Sequence, residues 1–192
     1  MASLLRTLLV TSALALAFSG GAQAAGGHYV FDGGSRAEQS QVRQALNASS
    51  FNWSVVPATI TVHIARGHYS EATYGEIWLD ADLLDSGIFS WGVVQHEYAH
   101  QVDFFLLNDT RRAMLAGLGG KAWWATGATA SGAPNGTLAH ADLTSERFAS
   151  TLAWAYWPSP SNSMRPTSTS DESAAMAPAA FRSLLARVLA AR

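Results

Sequence analysis

Residues 93–103 read VVQHEYAHQVD, with His96 and His100 four apart and Glu97 beside the first. They lie in a periodic apolar run, Ile88 to Leu107, that follows Asp85 and Ser86 and predicts a long helix. On a helix, positions i and i+4 share a face, so the two imidazoles can reach one metal ion. Glu97 lies about 100° further round, which puts its carboxylate beside the ion but not on it. This is the HExxH pattern of zinc peptidases. In that reading His96 and His100 hold Zn²⁺, and Glu97 is the general base that deprotonates a zinc-activated water. With six histidines and six glutamates in 192 residues, chance alone produces the pattern in roughly 0.6 percent of such chains. The bland alternative is a pair of histidines on an ordinary amphipathic helix.

The rest of the chain bounds where such a helix could sit. Residues 1–24 read as a signal peptide: Arg6 precedes an apolar run from Leu8 to Phe18, and Ala22-Gln23-Ala24 has the small-x-small cleavage pattern. The run is shorter than the roughly 20 residues a membrane span needs, so a secreted, extracellular protein is expected. Residues 25–192 then form one domain. Their formal charge is about −3, which is no footprint for nucleic acid or an anionic membrane. There is no cysteine. A secreted fold without disulfides must rest on its core, and it has no thiolate to offer as nucleophile or ligand.

Organisation follows from local patterns. Ser35 to Leu46 reads as a helix capped by Ser35, with Val42, Ala45 and Leu46 along one edge. Thr59 to Ala65 alternates, with Ile60, Val62 and Ile64 on one side, and predicts a half-buried strand. Gly75 to Leu79 predicts a second strand. Residues 116–136 read as a long loop carrying Trp123 and Trp124, which are expected to be core more than substrate pocket. Leu143 to Trp157 predicts a helix, Pro158 to Ser173 a proline- and serine-rich connector, and Ala179 to Ala191 a last helix opened by Pro178. The fold class expected is α+β: a small, mostly antiparallel sheet, the HExxH helix, and a C-terminal helical subdomain.

A catalytic zinc usually takes three protein ligands and leaves one position open. Asp103 and Leu106 stand where the metzincin pattern needs glycine and histidine. An aspartate-type pattern is only approached, by Gly136-Thr137-Leu138-Ala139-His140, with histidine where aspartate is required. The remaining class takes a glutamate from a downstream helix. Only Glu146 and Glu172 follow the motif. Glu172 lies in the connector and is set aside, while Glu146 begins an apolar helix, where a buried carboxylate needs a partner. The alternative is a first-turn glutamate favoured by the helix dipole.

Three segments together, HEYAHQVDFFLL, ERFASTLAWAY and APAAFRSLL, resemble the catalytic domain of the anthrax lethal-factor-like zinc peptidases, a family of gluzincins. The resemblance spans about residues 59–190 and implies a zincin-like fold. It implies that His96, His100 and Glu146 are the zinc ligands and Glu97 the base. It places Asp103 where it could accept a hydrogen bond from a ligand's outer ring nitrogen. Two departures stand out. Ser150 occupies a position where the family often has a second acid. No tyrosine stands shortly before Glu146, where the lethal factor has one that helps stabilise the oxyanion, which leaves His140, Tyr98 or Tyr156 for that role. The expected partner is a peptide or protein substrate, with neither nucleic acid nor membrane, and the chain is expected to act as a monomer. Strand Gly75 to Leu79 is expected to present an edge to the extended substrate. The rival reading is a non-catalytic zinc-binding or peptide-binding protein on the same scaffold.

Overall fold

The computed structural model describes residues 26–123 and 138–191. The expected signal peptide, Trp124 and the Gly136-Thr137 pair lie outside the described residues. Four strands form one open sheet: β1 (Tyr29–Gly33), β2 (Ile60–Ala65), β3 (Glu71–Thr73) and β4 (Glu76–Asp80), in the order β1-β2-β4-β3. The described residues also hold six α-helices: α1 (Arg36–Ala48), α2 (Ala81–Leu84), α3 (Trp91–Leu106), α4 (Asp109–Met114), α5 (Thr144–Tyr156) and α6 (Pro178–Ala190).

The sheet is mostly parallel, which corrects the antiparallel expectation. β1 pairs parallel to β2, and β2 parallel to β4; only β3 runs antiparallel, against β4. The reason is β1, a strand the sequence reading did not see. With β1 in place, α1 becomes the crossover of a β-α-β unit, and such crossovers join parallel strands. The strand expected at the edge is not there either. β4 lies between β2 and β3, so among the described residues the edge on that side belongs to Glu71–Thr73.

Local chemistry explains the elements that were foreseen. Ser35 and Glu38 form a capping box at the start of α1, each side chain bonded to the other's backbone N–H. The apolar edge Val42, Ala45 and Leu46 is buried, as are Ile60, Val62 and Ile64 of β2. Ile77 and Leu79 of β4 bury the same face of the sheet. Trp53 closes this core: its indole N–H donates to the Leu46 carbonyl at 3.1 Å, and its ring meets Tyr98 and Phe51 edge-on. Burying a ring of that size contributes roughly 3 kcal/mol.

The helices after the motif form the second half of the core. α5 packs along α3, and α6 against α5 through Phe181 and Phe148. Pro178 stands in the first turn of α6, as expected. Trp123 is partly buried against the core, on Phe148, with Arg112 over its ring. The Pro158–Ser173 connector is tied down. The Asn162 amide donates to the carbonyls of Ala153 and Trp157, at 3.1 and 2.8 Å, and residues 172–175 form a 3-10 turn against α5.

Candidate metal centre

The motif helix is buried almost throughout, so its polar side chains need internal partners. Gln95 donates to the Ala45 carbonyl of α1 at 2.7 Å. Gln101 donates to the carbonyls of Thr73 and Glu76, at 2.8 and 3.1 Å, and accepts from the Gly75 amide at 2.9 Å. It therefore clamps the β3–β4 turn to α3 beside His100.

His96 and His100 point across to α5, where Glu146 sits in the first turn. Glu146 Oε2 lies 3.1 Å from His96 Nε2 and 3.2 Å from His100 Nε2, and the two nitrogens are 3.1 Å apart. All three side chains are buried. Ligand atoms about 2.1 Å from a tetrahedral first-row metal ion stand roughly 3.4 Å apart, so the spacing fits a shared ion. The Glu97 carboxylate belongs to the same buried group: its oxygen and the nitrogens of His96 and His100 all lie within 4.8 Å of one another. His96, Glu97, His100 and Glu146 thus form a cluster that could hold a metal ion.

The protonation pattern strengthens the fit. The Ser150 hydroxyl donates its one hydrogen to Glu172 at 2.8 Å. It must then accept from His96 Nδ1, 3.0 Å away. The outer nitrogen of His96 is thus held by Ser150, and Nε2 is the nitrogen turned to the Glu146 carboxylate, the orientation a metal ligand needs.

Electrostatics separates the two glutamates. Burial pushes the Glu97 carboxyl up to about 7, only partly offset by His96. Burial acts on Glu146 in the same direction, but the imidazoles of His100 and His96 overcome it and hold that carboxyl well below its usual range. One carboxylate stays ionised as a ligand would; the other is poised to exchange a proton near neutrality.

Of the three residues considered for the oxyanion, only His140 reaches the cluster. Its Nε2 lies 3.1 Å from Glu146 Oε2. Tyr98 is buried on the far side of α3, with its hydroxyl directed to the His28 carbonyl. Tyr156 stands ten residues past Glu146, about 15 Å along the helix, and packs on Phe51. Asp103 is buried and paired with Arg112 at 2.9 Å, while the outer nitrogen of His96 finds Ser150.

The residue the sequence reading set aside is central. Glu172 accepts from Ser150 with one oxygen, and its other oxygen lies 2.6 Å from His140 Nδ1. It is grouped with His96 and Glu146 as a further set able to hold a metal ion. Its charge in an otherwise serine- and alanine-rich stretch was the only available signal. No protein-family model, no curated protein and no solved structure matches the chain.

Proposed function

We propose that this chain is a secreted zinc metallopeptidase of the gluzincin type, akin to the lethal-factor-like catalytic domains. It acts as a monomer on a peptide or protein substrate. The observation that carries this reading is the convergence of His96, His100 and Glu146 within 3.2 Å on one side of a buried cluster, with Glu97 beside them. Imidazole nitrogens and one carboxylate, without thiolate, are the donor set of catalytic zinc. When bound, the ion acidifies a water and polarises the scissile carbonyl.

The chain's own residues supply the rest. Glu97, with its carboxyl near neutrality, takes a proton at its carboxylate and returns it to the leaving amine. Strand β3 lends its free edge to an extended substrate, which adds to the sheet through backbone hydrogen bonds. Gln101 holds that edge in register with the metal ligands.

The test is zinc content and hydrolysis of a peptide library, measured on the wild type, Glu97→Gln and Glu146→Ala. The reading expects about one zinc per chain in the wild type and in Glu97→Gln, little in Glu146→Ala, and cleavage by the wild type alone. A wild type that binds no zinc, even after refolding with added metal, would sink it. A second reading, a zinc-binding protein that cleaves nothing, is favoured by one observation: His140 stands where an open position is needed. Zinc binding with no cleavage by any form would select it.

A further inference from the structure

The neighbourhood of Glu146 Oε2 holds one donor more than the peptidase reading uses. His140 Nε2 lies 3.1 Å from that oxygen, as close as His96 Nε2. The two rings are inclined by only 22°, so their planes are nearly parallel. Glu172 explains the arrangement. Its ionised oxygens only accept hydrogen bonds. One lies 2.6 Å from His140 Nδ1, so that nitrogen donates to it and Nε2 is the atom turned to Glu146. The other accepts from Ser150, which in turn accepts from His96 Nδ1. A single carboxylate thus holds the outer nitrogens of two imidazoles whose Nε2 atoms both lie 3.1 Å from Glu146 Oε2. Orienting a ring by a carboxylate on its outer nitrogen is how proteins prepare histidine ligands.

We propose that His140 is a fourth, displaceable ligand of the metal, so that the resting site is closed by three imidazoles and one carboxylate. This rests on the metallopeptidase reading above. Exposure distinguishes the fourth ligand from the other three. The side chains of His96, His100 and Glu146 are 7, 4 and 4% exposed, whereas that of His140 is 61% exposed. His96 and His100 are fixed by a buried helix, and Glu146 by the first turn of another. His140 sits on a 3-10 turn, His140–Asp142, at the surface. It can leave without disturbing the core, and Glu172 can keep hold of Nδ1 as Nε2 moves away. A site closed by four protein ligands is inert to substrate, so loss of His140 is the opening step.

Zinc-edge X-ray absorption on the untagged full chain, in imidazole-free buffer, counts the imidazoles bound. The expected count is three in the wild type and two in His140→Ala. With saturating acetohydroxamate, the wild-type count should fall from three to two. The closed state also competes with that probe, so His140→Ala should bind it at least ~10-fold more tightly. Two imidazoles in the resting wild type would overturn the proposal while leaving the peptidase reading intact. Three that persist with acetohydroxamate bound would also overturn it, because His140 is then not displaced; a zinc-loaded wild type that does not bind the probe has a permanently closed site and would overturn both readings. Absence of zinc from the wild type would overturn both. The wild-type count decides alone if His140→Ala fails to fold.

Discussion

Ser150 and Glu172 are 22 residues apart in the chain, and the hydroxyl of one lies 2.8 Å from the carboxylate of the other. That contact joins α5 to the 3-10 turn at 172–175 and fixes the tautomer of His96 through its outer nitrogen. Removing it leaves the ligands in place but loosens their orientation. Ser150→Ala is expected to weaken zinc binding by about 10–100-fold, with little change in unfolding free energy. Competition against a chromophoric chelator measures the affinity. An affinity equal to the wild type's would mean that the Ser150 hydroxyl does not orient His96.

The buried Glu97 carboxyl makes the metal-free protein pH-sensitive. Its pKa is about 7 in the fold against 4.5 ordinarily. Between these values the folded state holds a proton that the unfolded chain has lost. Metal-free stability is therefore greatest below about pH 4.5 as far as this group is concerned, and falls as pH rises through 7. The loss is on the order of 3 kcal/mol. Urea unfolding of metal-free wild type and Glu97→Gln at pH 5 and pH 8 checks the sign. The difference between the two pH values should shrink in Glu97→Gln.

Gln101 is fully buried and serves three backbone groups of the β3–β4 turn. Gln101→Leu keeps the volume but strands the Thr73 and Glu76 carbonyls and the Gly75 amide. The expected destabilisation is about 2–4 kcal/mol. The Gly75 amide should also exchange with deuterium faster than in the wild type. Because β3 is the proposed substrate edge, KM should rise more than kcat falls.

Gly92 is the point where α3 meets the connector. A Cβ there would run into the Asn162 and Ser163 side chains and approach the Ser163 backbone nitrogen to 3.0 Å. Gly92→Ala is expected to destabilise by about 1–3 kcal/mol through overpacking. It should also lift the 159–165 turn and speed deuterium exchange at the Asn162 and Arg165 amides, which bond to the Ser159 and Asn162 carbonyls. Unchanged exchange would mean that the connector adjusts without leaving the helix.

What could be read from the sequence was whatever repeats within a turn or two of chain. HEYAH specified its own helix, because i and i+4 share a face wherever the helix lies. The alternation of Ile60, Val62 and Ile64 marked β2 and its buried side. Ser35 with Glu38 marked the start of α1. Glu146 emerged because only two glutamates follow the motif, and it does lie within 3.2 Å of both histidines. β1 escaped: YVFDG is five residues whose first three are all apolar, so the partial burial of Tyr29 and Phe31 and the exposure of Val30 leave no apolar–polar alternation in the sequence. Without it, the parallel direction of the sheet and the edge position of β3 had no basis.

Only the tertiary structure brought Glu172, Ser150 and His140 to the His96–His100–Glu146 cluster. Glu172 lies 32 residues from His140, and Ser150 54 from His96. No periodicity links such positions. Their meeting depends on how α5 packs along α3 and how the connector folds back over both. The sequence determined that His96, Glu97 and His100 lie within one stretch of helix, because helix geometry alone sets their spacing. The positions of His140, Ser150 and Glu172 beside them were decided by packing, where distance along the chain carries no information about distance in space.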